Sequence, residues 1–246
     1  MSAFIEELSM NAWPSITTRL YDGWVLRFSE GYTKRANSVN PLYPSTLPVE
    51  EKIISCEKIY SSFHLPAVFK ITDDKTQHEI DKQLSLLCYK KCGVTSVQVL
   101  TLDDYNFNIT DNVRIEYNFS DEWINGYISC SEIEQHWHKT LKNMLAKIPE
   151  PRVIASIKKQ GEIVACGYGA IEHGYIGIFN LDVKKEFRKL GFGWQILNGI
   201  LSAGKEMEAK YSYLQVVNGN ETAEKLYRKT GYKESYKYWY RIKSTF

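Results

Sequence analysis

The stretch VKKEFRKLGFGWQIL, residues 183–197, sets two glycines two apart inside a run of positive charge, directly before an apolar periodic segment. A helix interior disfavours glycine by roughly 0.5–1 kcal/mol against alanine. Gly191 and Gly193 therefore read as the mouth of a helix rather than its body. Beyond them, Gly193, Ile196, Leu197, Ile200 and Leu201 share one face and predict a helix from about Phe192 to Met207. A helix start carries backbone N–H groups without partners and a partial positive charge. Lys184, Lys185, Arg188 and Lys189 add to that charge. With no side chains at 191 and 193, an anion can approach the backbone, so RKLGFG is in physical terms a phosphate cradle. No Walker lysine with Ser or Thr follows the glycines, and no G-x-G-x-x-G with a later acidic residue is present. These absences argue against a nucleotide-hydrolysing P-loop and against a dinucleotide site.

Working outward, residues 152–183 contain three strand-like runs broken by the turn signals KKQGE and EHG, a meander. SEIEQHWHKTLKNMLAKI before it is helical and stopped by Pro149 and Pro151. After the Phe192 helix, YSYLQVV reads as a strand, and NETAEKLYRKTG as a helix capped by Asn220 and ended by Gly231. YKESYKYWYRIK closes with alternation that places Tyr236, Tyr238 and Tyr240 on one face. The first half gives a hairpin around SEGYT and a helix over PVEEKIISCEKIYSSF. There follow a strand at AVFKI, a helix over TQHEIDKQLSLLCYKKCG ending at Gly93, and a strand at VTSVQVLTL. The element orders of the two halves are alike, and CYKKCGV (88–94) aligns with LYRKTGY (226–232), so a duplication is favoured. DDYNFNITDNVRIEYNFS holds the best candidate boundary, giving domains 1–110 and 111–246.

The 246 residues carry 31 Lys and Arg against 29 Asp and Glu, so any anion site is local rather than a global field. Five scattered cysteines suit reduced thiols, and the acidic N-terminal stretch MSAFIEELSMNAWPS does not read as a signal peptide. A soluble cytoplasmic protein with no membrane partner is expected. Cys88 with Cys92 and His136 with His138 lack a second half at zinc spacing, so no metal is expected.

VKKEFRKLGFG resembles the acyl-CoA motif R/Q-x-x-G-x-G/A of the GNAT superfamily of acyl-CoA-dependent N-acyltransferases, with Arg188, Gly191 and Gly193 at its defining positions. NETAEKLYRKTGY resembles that family's second signature at Asn220, Ala223, Leu226, Tyr227, Lys229, Gly231 and Tyr232. The resemblance covers residues 115–246. It implies an α+β fold with a mixed sheet: GNAT-like in the C-terminal half, with a smaller, degenerate GNAT-like domain before it. It implies acetyl-CoA as co-substrate, with the backbone of Leu181 and Val183 along the pantetheine arm. The amides of Arg188, Lys189, Leu190, Gly191, Phe192, Gly193 and Trp194 would hold the pyrophosphate. Asn220 would lie near the pantetheine, and Tyr227 would face the thioester sulfur as general acid.

The base is open. Some members of the family use a glutamate about eleven residues before the motif, and here that position is near Gly177. Asp182, Glu172 and His173 are the nearby titratable residues, with Asp182 taken forward; Cys166 as an acyl-cysteine lacks a histidine partner. YPSTLP in the first half has two prolines and no glycine, so that half has lost the cradle. It would serve as scaffold or as a pocket wall through Trp24, Arg27, Arg35 and Asn37. The expected function is acetyl transfer from CoA to a primary amine of a small molecule or protein. The alternatives are a non-catalytic acyl-CoA-binding regulator and, less compatible with the charge balance, a nucleic-acid module.

Overall fold

The computed structural model describes residues 2–103 and 110–243. Part of the stretch expected to hold the domain boundary, residues 104–109, lies outside them. The chain opens with α1 (Ser2–Ala12), β1 (Thr17–Tyr21), β2 (Trp24–Phe28), β3 (Val39–Pro41), α2 (Val49–Ser62) and β4 (Val68–Thr72). It continues through α3 (His78–Leu86), β5 (Tyr89–Thr101), β6 (Val113–Glu116), α4 (Asp121–Cys130) and α5 (His138–Leu145). The rest comprises β7 (Arg152–Lys159), β8 (Glu162–Glu172), β9 (Tyr175–Val183), α6 (Phe192–Glu206), β10 (Tyr211–Val217), α7 (Glu221–Thr230) and β11 (Lys233–Lys243). The chain forms two compact units. One takes residues up to Gln98 with 215–224 and 234 onward; the other takes 99–214 with 225–233.

In the first unit the strand order is β1-β2-β3-β4-β11-β5, so the last strand of the chain lies between β4 and β5. β3 pairs with β4 in parallel at Val39↔Phe69, and β11 runs antiparallel to β4 from Tyr238↔Thr72 to Ile242↔Val68. Trp24, Leu26, Phe28, Ile53, Tyr60 and Phe69 belong to its apolar core. Tyr236, Tyr238 and Tyr240 are all buried, as the alternation predicts. The Tyr236 hydroxyl donates to Glu6 Oε1 at 2.7 Å, Lys70 pairs with Glu6, and the Tyr238 hydroxyl donates to Gln215 Oε1 at 3.0 Å. These contacts are internal packing.

Local details of this unit go beyond the expectations or differ from them. The tight hairpin joins β1 to β2 through Asp22 (φ 43) and Gly23 (φ 80), the pair of positive φ values a two-residue hairpin turn needs. The hairpin expected around SEGYT is present as well: β2 and β3 pair antiparallel from Trp24↔Pro41 to Leu26↔Val39 across a longer return that SEGYT begins. α3 ends at Leu86, and the left-handed residue after it is Cys88 (φ 65); Gly93 lies inside β5. CYKKCGV and LYRKTGY are thus alike in letters but start from different elements, and the similarity of the halves rests on element order. Trp24, Arg27 and Asn37 are buried and engaged within this unit. Trp24 is in the core; Arg27 donates to the carbonyls of Arg35 (2.7 Å) and Met10 (3.2 Å); Asn37 Oδ1 accepts from the amides of Ser29 and Gly31.

The turn before α2 occupies the place that the glycine-rich turn occupies before α6. Two of its amides, those of Thr46 and Leu47, already have a partner. The Asp22 carboxylate accepts from the N–H of Leu47 (2.9 Å), the N–H of Thr46 (3.0 Å) and the Thr46 hydroxyl (2.8 Å). Lys52 Nζ lies 3.2 Å from the same carboxylate. The Leu47 amide, then the Thr46 hydroxyl, hold the Asp22 carboxyl well below the usual range.

In the second unit the order is β10-β9-β8-β7-β6, antiparallel from β6 through β9 and parallel between β9 and β10. The parallel step follows from α6, which connects the two strands as a crossover. α4 and β6, unforeseen in the sequence, both belong here. α4 is capped by the Ser120 hydroxyl, which accepts from Trp123 N at 3.2 Å. Among the described residues no helix is long and apolar enough to cross a membrane, and no group of three His, Cys, Asp or Glu is arranged to hold a metal ion.

Candidate functional site

β9 and β10 are neighbours only at their beginnings. Their register runs from Tyr211↔Tyr175 to Tyr213↔Gly177 and stops there, although β9 continues to Val183. On its other side β9 carries a bulge. Cys166 faces Asp182 and Tyr168 faces Phe179, so Asn180 and Leu181 together oppose Gly167. Asn180 adopts φ 51 there. The extra residue changes which side chains share a face. Gly177 and Phe179 alternate normally, and Asp182 rejoins their face after the bulge. Leu181 and Val183 turn the other way, toward Gly193 of α6.

The turn from β9 to α6 contains a short 3-10 segment, Lys185–Phe187, then Lys189 at φ 64 and Gly191 at φ 82. Gly191 is the N-cap of α6 and offers no capping side chain; Gln195 N reaches its carbonyl at 3.1 Å. The amides of Phe192, Gly193 and Trp194 consequently have no acceptor among the described residues. A Cβ on Gly191 would meet only Gln195 Nε2, at 3.9 Å, so glycine is required by φ and the space beside it is open. At Gly193 a Cβ would sit 3.6–3.8 Å from Leu181, Val183 and Leu226, ordinary contact. Three of the four basic residues have anionic partners: Lys184 with Glu162 (2.9 Å), Lys185 with Glu132 (2.8 Å) and Arg188 with Asp182 (3.8 Å). Lys189 has none among the described residues. Leu190 and Trp194 are exposed beside it. An anion placed at this mouth meets free amides, a helix N-terminus and one unneutralised ammonium.

Tyr227, on α7, is buried, and its hydroxyl has no hydrogen-bond partner among the described residues. Burial, then the charge of Asp182, push its pKa up to about 12, so the phenol is protonated at neutral pH. Asp182 is held on both oxygens. Oδ2 accepts from the Ser131 hydroxyl at 2.6 Å, and Oδ1 accepts from the Val183 amide at 2.9 Å. The Ser131 contact joins residues 51 apart and has no local signature in the sequence. Asn220, in the first unit, is the N-cap of α7, its Oδ1 accepting from Ala223 N at 3.2 Å.

Other candidates fall away. Glu172 ends β8 opposite Tyr175 and His173 stands in the turn that follows, so both lie about 17–20 Å along β9 from Asn180 at 3.3 Å per residue. Cys166 is fully buried; its hydrogen bond with Cys130, then burial, push its thiol well above the ordinary range, so no thiolate forms at neutral pH. At Gly177 no carboxylate could stand. A Cβ there would lie 2.3 Å from Tyr213 Cζ and 2.4 Å from its hydroxyl oxygen.

The family model described as the probable histone acetyltransferase Rv0428c C-terminal matches residues 4–241. The chain is 28% identical over 243 residues to the uncharacterized N-acetyltransferase YobR of Bacillus subtilis strain 168, covering 97% of each. A GCN5-related N-acetyltransferase from Kribbella flavida superposes with a TM-score of 0.72 at 12% identity, over 100% of this chain and 96% of the other. A functionally unknown conserved protein from Staphylococcus epidermidis ATCC 12228 superposes with a TM-score of 0.65 at 14% identity, over 93% of both.

Proposed function

Since this chain belongs to the Rv0428c C-terminal acetyltransferase family, and with it to the GNAT superfamily, we propose that it transfers an acetyl group from acetyl-CoA directly to a primary amine. The observation that carries the reading is the open mouth of α6, with three acceptor-free amides at Phe192, Gly193 and Trp194, set at the end of a strand whose neighbour has left it. The pyrophosphate sits on those amides, with Arg188, Lys189, Leu190 and Gly191 forming the turn around it. The pantetheine arm takes up the backbone edge that β10 leaves free, around Leu181 and Val183. At Val183 the N–H already donates to Asp182 Oδ1 and the C=O accepts from Arg188 Nε, so the arm takes the place of those two contacts there, as an added strand would.

The reaction requires a neutral amine, because an ammonium has no lone pair. The amine nitrogen attacks the thioester carbonyl, a C–N bond forms, and collapse breaks the C–S bond. The departing thiolate takes the Tyr227 proton, which solvent restores. Asp182 accepts the amine's proton directly or through water; its two fixed donors orient it toward the face it shares with Gly177 and Phe179. The usual glutamate position is closed by Tyr213, which gives the non-catalytic acyl-CoA binder its one supporting observation.

Calorimetric titration with acetyl-CoA, followed by thiol release with a panel of amines, tests both readings. Binding with turnover supports the transferase; binding without turnover on any amine supports the binder. Absence of affinity for acetyl-CoA, longer acyl-CoAs and CoA removes both.

A further inference from the structure

Four buried side-chain polar atoms have no hydrogen-bond partner among the described residues: Asn40 Oδ1, Thr110 Oγ1, Ser156 Oγ and Asn180 Nδ2. Only the last is a nitrogen, a group that can do nothing but donate. It sits in the bulge of β9, three residues beyond the point where β10 departs. The corresponding strand of the first unit, β3, carries Asn40, whose Nδ2 is fully used on the carbonyls of Ser38 (2.8 Å) and Val25 (3.2 Å). The first unit satisfies this NH2 group internally, leaving only the Asn40 carbonyl oxygen unpaired; the second leaves the NH2 group itself without a partner. An unpaired buried donor is disfavoured in a folded chain and calls for an acceptor.

The site dictates which acceptor. If the pyrophosphate lies in the turn after Val183 and the pantetheine runs along Val183 and Leu181, the thioester falls at the next position back along β9, the level of Asn180. We infer that the Asn180 side-chain amide donates a hydrogen bond to the acyl carbonyl oxygen of the bound thioester, an interaction that strengthens as this oxygen gains negative charge. This assignment rests on the acyl-CoA reading above. Asn is also favoured at φ 51 for its backbone alone, and this is the competing explanation to be separated.

Asn180→Gly separates them, because glycine keeps the left-handed backbone and loses only the amide. Asn180→Asp keeps the shape and tolerates the same φ, but replaces the donor with an acceptor. The probes are acetyl-CoA and free CoA, which differ in the acyl group, titrated into the parent and both variants, with kcat on an amine found active for the parent. The parent should favour acetyl-CoA. Each variant should lose acetyl-CoA affinity about 3–10-fold more than CoA affinity. Their kcat should fall on the order of 100-fold. Folding is checked by an unchanged melting temperature for Asn180→Gly. Parent-like affinity ratios and kcat in Asn180→Gly would overturn the assignment and leave the acyl-CoA reading standing. A parent that binds neither compound would overturn both.

Discussion

The two glycines that begin α6 should respond to alanine in opposite directions. Gly193 lies inside the first turn of the helix with no positive φ, and its new methyl would rest 3.6–3.8 Å from Leu181, Val183 and Leu226 without displacing them. Alanine there gains helix propensity, about 0.5–1 kcal/mol, and adds a little apolar contact. Gly191 adopts φ 82 as the N-cap, where an L side chain costs about 1–2 kcal/mol and no helix propensity is recovered. For a chain of this size each kcal/mol moves the melting temperature by about 2–4 °C. Gly193→Ala should therefore melt about 1–4 °C above the parent and Gly191→Ala about 2–8 °C below it. Differential scanning calorimetry measures both. With acetyl-CoA at about 100 times its dissociation constant the parent should gain roughly 2.7 kcal/mol, and Gly193→Ala should keep that increment. Two variants shifted in the same direction would refute the assignment of one glycine to backbone geometry and the other to helix entry.

Further expectations follow from the same contacts. Tyr227→Phe removes a hydroxyl that no described residue uses, so stability should stay within about 0.5 kcal/mol at pH 7 while kcat falls roughly 100-fold and acetyl-CoA affinity holds. Tyr232→Phe should do the reverse. Its hydroxyl shares a buried 2.6 Å hydrogen bond with Ser212, and losing it should cost about 1–2 kcal/mol in urea denaturation with turnover intact. Burial raises the Tyr227 pKa from 10.0 to about 12, so the native state holds this proton more tightly than the unfolded chain. The resulting stability is complete below pH 10 and is lost as the pH rises toward 12, an effect on the order of 2–3 kcal/mol. Comparing urea curves at pH 9 and 11.5, the parent should lose more stability than Tyr227→Phe; equal losses would contradict the assignment. Gly177→Ala forces a methyl into the Tyr213 ring and should cost about 1–3 kcal/mol or more. Combined with Tyr213→Ala it should cost less than the sum of the two single changes; strict additivity would mean the ring is not the obstacle.

The parts of this molecule that were legible in sequence are those governed by near neighbours. The helix predicted over Phe192–Met207 is observed at Phe192–Glu206, and the closing strand buries the three tyrosines its alternation places together. Glycine misled where another residue took its conformation. Cys88 adopts the left-handed form after α3, so Gly93 does not mark that helix's end. The Asp22-Gly23 pair carries a two-residue hairpin signal of its own, beside the longer return through SEGYT. The bulge in β9 has no glycine to announce it, because Asn180 tolerates its φ. The contact between Ser131 and Asp182, and the ring of Tyr213 over Gly177, are tertiary and leave no periodic trace.

The carboxylate of Asp22 gives the first unit a ligand that it can never be without. Joined to the chain and positioned by a tight hairpin, it acts on the amides before α2 at an effective concentration far beyond any dissolved phosphate. The Thr46 and Leu47 amides of that turn are therefore occupied by the folded chain itself. On the reading proposed above, in which the turn before α6 takes the diphosphate, the chain should answer acetyl-CoA with a hyperbolic isotherm and one equivalent bound per chain. The turn before α2 is then a structural joint, and its carboxylate does for folding what a diphosphate would do for binding.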